Sequence, residues 1–151
     1  MDVSAWVLYL AGLSLYLEGI LRNCYLSAEE IRELCLSLPE TEEGFPFGEE
    51  TLVFKVRGKI FLLMSLDTAP LQFNVKCEPQ LALDYRERNP DIQPGYHMNK
   101  THWNTVIVNG SIGKSLLVEM INHSYCLVSG KNKSKTGKTP VKKGGGKVKK
   151  Q

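Results

Sequence analysis

Between Thr51 and Cys77 the hydrophobic period of the chain becomes two, in a block broken only by short turns. Thr51 to Val56 reads as a strand, Arg57-Gly58 as a turn and Lys59 to Leu66 as a hydrophobic partner strand, which predicts a hairpin. Leu71 to Cys77 alternates: Leu71, Phe73, Val75 and Cys77 point one way, Gln72, Asn74 and Lys76 the other. One face of such a strand lies on a core and the other is wet. Strands that succeed one another without intervening helices argue for an antiparallel sheet with helices on one face, the α+β class.

The flanking segments have the helical period. Ser27 and Glu30 form a capping box, with Leu26 and Ile31 at the staple positions. Ile31, Leu34, Cys35 and Leu38 make a narrow stripe that Pro39 ends. An acidic turn and the rigid segment Phe45 to Gly48 lead into the first strand. Pro79 suits the first turn of a second helix carrying Leu81, Ala82 and Tyr85, and Asn89-Pro90 stops it. A last strand is expected from Trp103 to Val108, followed by a turn at Asn109-Gly110. Ser111 is the expected cap of a final helix bearing Leu116, Leu117, Met120, Ile121, Ser124, Leu127 and Val128, with Gly130 as its stop. The expected fold is a sheet of about five strands in the order α-β(3)-α-β(2)-α, its outer face polar and partly open.

Three regions follow from the composition: residues 1–23 as an apolar leader, 24–130 as the folded domain and 131–151 as a tail expected to be disordered. Charge divides the same way. The tail holds nine of the nineteen basic residues and no acid, so the first 130 residues carry ten basic against sixteen acidic groups, a balance of −6. The basic pI of the chain is therefore no evidence that the domain binds nucleic acid. The tail alone has the character of a polyanion-binding arm. The apolar run Val3 to Leu17 is too short to span a bilayer, and Asp2 stands where a secretory signal would carry positive charge. Three readings stay open for it: a helix laid on the domain or a partner, an upstream stretch included with the start codon, or a membrane-associating segment. No integral membrane span is expected. The scattered cysteines Cys24, Cys35, Cys77 and Cys126 have no CxxC spacing, which suits reduced thiols in a cytoplasmic protein.

The segment Pro94 to Thr105, PGYHMNKTHWNT, is too polar for a core and too aromatic for an ordinary linker. It is the expected working surface. Lys55, Lys59 and Lys76 on the strands, together with Tyr96, His97, Asn99, Lys100, His102, Trp103 and Asn104, are the candidate nucleic-acid contacts. The lysines would meet phosphates, Tyr96 or Trp103 would stack on an exposed base, and the asparagines would position the backbone or read base edges. His97 and His102 stand five apart without HExxH or paired cysteines, so no metal is expected. His123 receives no role. No G-x-S-x-G elbow, cysteine with an adjacent base or phosphate loop is present, so neither catalytic residues nor a cofactor is expected.

The stretches IRELCLSLPETEEGFPFGEETLVFKVRGKIFLLMSL, LQFNVKCEPQLALDYRERNPDIQPGYHMNKTHWNTV and LVEMINHSYCLV resemble the MmcQ/YjbR-like family of small bacterial proteins, over roughly Ser27 to Val128. The resemblance implies a compact α+β fold similar to type III secretion chaperones and frataxin-like domains, a "double-wing" description, and a DNA-binding role without catalytic residues. The alternative partner class is another protein or a second copy, in a chaperone-like interaction module.

Overall fold

The computed structural model describes residues 3–24 and 26–131; the expected disorder of the lysine tail lies outside the described residues. The order is α1 (Val3–Cys24), α2 (Ala28–Ser37), β1 (Thr41–Gly44), β2 (Thr51–Val56), β3 (Lys59–Ser65), β4 (Leu71–Lys76), α3 (Pro79–Arg88), β5 (Ile92–Pro94), β6 (Trp103–Val108) and α4 (Lys114–Ser129). The strands form one antiparallel sheet in the order β1-β2-β3-β4-β6-β5. This is the α+β architecture that the alternation of Thr51–Cys77 implied.

Local signals act where expected. The Ser27 hydroxyl accepts from the Glu30 amide at 3.2 Å and the Glu30 carboxylate from the Ser27 amide at 2.8 Å, closing the capping box. Leu26 and Ile31 are both buried beside it. Arg57 and Gly58 have φ of 51° and 76°, the two positive values that a two-residue type I′ hairpin needs. Gly130, at φ 73°, ends α4 in the left-handed conformation.

Two boundaries differ from the sequence reading. The acidic stretch Thr41–Gly44 is an edge strand, not a turn, which brings the sheet to six strands. Glu42 lies opposite Lys55, and Glu43 receives both Arg32 Nε (2.7 Å) and Nη2 (2.6 Å) from α2. A charged edge of this kind resists pairing with another chain. Helix α4 starts at Lys114 rather than just after Ser111, because the Ser111 hydroxyl donates to Asp91 and its amide to Asn109 Oδ1.

The core lies between the inner sheet face and the helices. Phe54, Phe61, Leu62, Met64, Phe73, Val75 and Val106 meet Ile31 and Cys35 of α2, Ala82 and Tyr85 of α3, and Leu117, Met120 and Ile121 of α4. Each such large side chain contributes about 1.5–3 kcal/mol when removed from water. A bulge shifts the register opposite Phe54/Lys55, so that the neighbours Phe61 and Leu62 are both buried in this one core. Ser124 of α4 bridges the adjacent gap in the ladder: its hydroxyl donates to Phe61 O at 2.5 Å and accepts from Lys76 N at 2.8 Å. The outer face is mixed rather than uniformly polar, since Val53 and Leu63, paired across β2 and β3, are buried at its centre. No helix among the described residues is long and apolar enough to cross a membrane.

Candidate nucleic-acid interface

The hairpin turn of β2–β3, the last residue of β4, the end of β5 and the first residue of β6 fall at one end of the sheet. This follows from the pairings Val56↔Lys59, Lys76↔Trp103 and Pro94↔Asn104. Lys55, Lys59, Lys76, Trp103 and the loop Gly95–His102 therefore gather there, across about 19 Å, four strand spacings from β2 to β5. Lys55 and Lys76 share the outer face, because Val53 pairs with Leu63 and Leu63 with Asn74, each two residues from its lysine. Both are half-buried, while Lys59 is exposed at the turn.

The loop is held by main-chain contacts. Gly95 N donates to Trp103 O at 2.8 Å, and Cys77 N to His102 O at 2.7 Å. Asn99 O accepts from the amides of His102 (3.2 Å) and Trp103 (3.0 Å), and its side-chain oxygen accepts from Thr101 N at 2.9 Å. Asn99 thus uses its carbonyls to shape the loop. A Cβ on Gly95 would stand 2.8 Å from Trp103 Cβ and 3.1 Å from Trp103 O, so only glycine permits this approach. Tyr96 N donates to Thr105 Oγ1 at 3.1 Å, and that hydroxyl donates to Asn74 Oδ1 at 2.5 Å on the outer face.

These contacts present two rings to solvent. Tyr96 is 73% exposed, and the His97 imidazole lies 4.0 Å from it, centroid to centroid, at 54°. His97 has φ 53°, a left-handed conformation uncommon for a residue with a Cβ. Beneath them is a depression of about 470 Å³ lined by Gln93, Pro94, Tyr96, His97, Met98 and Lys100. Lys100 is exposed and His102 half-buried. Among the described residues no group of three His, Cys, Asp or Glu side chains converges as a metal site.

Asn104 does not belong to this surface. It is fully buried on the inner face, because strand alternation sends Trp103, Thr105 and Ile107 outward and Asn104, Val106 and Val108 inward. Its side-chain oxygen accepts from Arg86 Nε at 2.6 Å, and its Nδ2 has no hydrogen-bond partner. Arg86, from α3, also donates through Nη2 to Trp103 O at 3.1 Å and to Lys100 O. This guanidinium, which the sequence reading passed over, clamps both ends of the loop's second half. Only its place on the α3 face toward β6 could have signalled it.

His123, given no role from the sequence, accepts from Glu78 N at 3.3 Å and so joins α4 to the start of α3. Burial pushes the Cys35 thiol up to about 12 and the Cys77 thiol up to about 11. Neither is a nucleophile at neutral pH.

The family model described as YjbR matches residues 36–127. The chain is 44% identical over 100 residues to the uncharacterised YbdF protein of Escherichia coli O157:H7, covering 66% of this chain and 82% of that one. It is 26% identical over 100 residues to the YjbR protein of Escherichia coli strain K12, covering 66% and 85%. Among solved structures, a Deinococcus radiodurans protein with a DUF419 domain superposes with a TM-score of 0.68 at 37% identity, over 74% of this chain and 85% of that one. A Pseudomonas syringae protein shares the fold, with a TM-score of 0.59 at 24% identity over 68% and 98%.

Proposed function

The chain belongs to the YjbR family, and from that premise we propose that it is a non-enzymatic DNA-binding protein that takes an unstacked, single-stranded stretch across the loop end of its sheet. The observation that carries this reading is the exposed Tyr96–His97 pair, held on a left-handed backbone in a loop that Arg86 clamps from behind. Backbone held in a sparsely populated region concentrates at working surfaces. An exposed aromatic face gives about 1–3 kcal/mol per stacked base and tolerates any sequence. Lys76, opposite Trp103 at the start of β6, and Lys100, exposed in the same loop as the pair, are the phosphate partners. Lys55 sits across from Glu42 and adds less. The net −6 of the first 130 residues opposes a polyanion, so the nine lysines of the tail supply the salt-dependent share of the affinity. Buried Cys35 and Cys77 support a cytoplasmic setting.

The test is fluorescence anisotropy with a labelled oligonucleotide, single-stranded and as duplex, on the full chain and on Tyr96→Ala/His97→Ala. The single strand should bind more tightly, and the double variant should lose at least about 10-fold while keeping its salt slope. Unchanged affinity in the variant would assign all binding to the tail and reject the platform. A second reading, interaction with protein, is supported by the exposed apolar side chains of α1.

A further inference from the structure

Arg86 carries a charge that no acid balances. Its Nε and Nη2 donate to the neutral oxygens of Asn104, Trp103 and Lys100. Its Nη1 donates to none of the described residues, and Arg86 enters no ion pair among them. The other half-buried arginine described, Arg32, meets the Glu43 carboxylate at 2.6 Å. A charge partly withdrawn from water is costly without a counter-charge, so such a group is ordinarily paired.

Arg86 also lines a cleft of about 250 Å³, together with Pro79 and Leu83 of α3 and Lys100 and Thr101 of the loop. Lys100 is exposed and likewise has no carboxylate partner among the described residues. One small space is therefore lined by two unbalanced cations and a hydroxyl, and by no acid, in a domain whose first 130 residues sum to −6. A guanidinium fork beside an ammonium suits a phosphate. A phosphomonoester carries about −1.5 to −2 at pH 7, which answers both cations, whereas a carboxylate or an internal phosphodiester answers one.

Lys100 also lines the depression of about 470 Å³ beneath Tyr96 and His97. The two hollows thus share a side chain. A nucleotide with a terminal phosphate has the matching parts: a flat base for the rings and a dianion for the cleft, joined through one sugar.

We propose that the Arg86–Lys100–Thr101 cleft is a phosphomonoester site, which takes the terminal phosphate of a nucleotide whose base lies on Tyr96 and His97. The inference rests on the reading of these rings as a base platform.

Fluorescence anisotropy of the full chain in 0.15 M salt tests it, with labelled hexathymidylates bearing a phosphate or a hydroxyl at the 5′ end or at the 3′ end. A phosphate at one of the two ends should tighten binding about 10-fold. Lys100→Ala, which keeps the carbonyl that Arg86 grips, and Arg86→Lys should each reduce that preference to within about 2-fold. Arg88→Ala removes a charge from the same helix outside the cleft and should keep it; near-UV circular dichroism verifies folding of each variant. Thymidine monophosphate as competitor separates the two sources of the group. Displacement of the strand assigns the cleft to free nucleotides as well, and its failure assigns it to strand ends. Equal binding of phosphorylated and unphosphorylated strands overturns the proposal. So does a preference that survives both cleft variants, which would belong to the lysine tail. In either case loss of affinity in Tyr96→Ala/His97→Ala leaves the strand platform standing. Unchanged affinity in that variant rejects the platform and this proposal together.

Discussion

Replacing Arg86 by alanine removes three hydrogen bonds at once, to Asn104 Oδ1, Trp103 O and Lys100 O. The costs differ by position. Lys100 is exposed and Trp103 half-buried, so water replaces the guanidinium there at about 0.5–1 kcal/mol each. Asn104 is fully buried with Nδ2 already lacking a partner, and its oxygen would become a second orphan at about 1–3 kcal/mol. The expected loss is about 2–5 kcal/mol, a fall of roughly 10–25 °C in Tm for a domain of about 100 residues. Arg86→Lys keeps the charge but offers a point donor in place of a fork, and should recover about half of the loss. In a double-mutant cycle, Asn104→Ala should cost clearly less in the Arg86→Ala background than alone, with a coupling of about 1–2 kcal/mol. Urea and thermal unfolding by circular dichroism give these values. A clamp at Arg86 is refuted if Arg86→Ala lies within about 0.5 kcal/mol of wild type, if lysine replaces arginine fully, or if the two substitutions add.

Gly95→Ala should destabilise by about 1–3 kcal/mol and shift the Trp103 fluorescence, since the new methyl meets Trp103 Cβ and O; an unchanged spectrum and Tm would contradict the close approach. Cys35 and Cys77, raised to about 12 and about 11 by burial, hold about one thiolate in a thousand or fewer at pH 8. Mass spectrometry after iodoacetamide should therefore find both unmodified until urea unfolds the chain. The Arg32 guanidinium holds the Glu43 carboxyl below its ordinary 4.5, and Lys114 does the same for Glu30. With folded values below unfolded ones, the unfolded chain binds more protons in acid, so this stabilisation is present above 4.5 and is lost as pH falls through the folded values. The urea midpoint should drop on acidification, and less steeply in Glu43→Gln; equal slopes would count against the pair.

The features legible in the sequence are those fixed by neighbours along the chain. The Ser27–Glu30 box, the Arg57-Gly58 turn and the alternation from Leu71 to Cys77 each depend on a few adjacent residues, and each stands where it was read. β1 was illegible because Thr41-Glu42-Glu43-Gly44 has no apolar alternation; its strand form comes from pairing with β2 and from the reach of Arg32. The candidate surface was half legible. Tyr96, His97 and Lys100 are exposed as expected, but the same polar segment also contains Asn104, whose buried placement depends on where β6 begins. Arg86 looks like any charged residue of an exposed helix, and only tertiary contact reveals its acceptors.

Arg86 grips the loop through the carbonyls of Lys100 and Trp103 and through a single side chain, that of Asn104. A main-chain carbonyl is the same whatever residue bears it. The shape of the loop is thereby uncoupled from most of its letters. Tyr96, Lys100 and Thr101 can be exchanged without disturbing the frame, while Gly95, Asn99 and Asn104 cannot. The domain is in this sense a mount with interchangeable tips: the outward side chains can vary while the backbone that carries them stays the same.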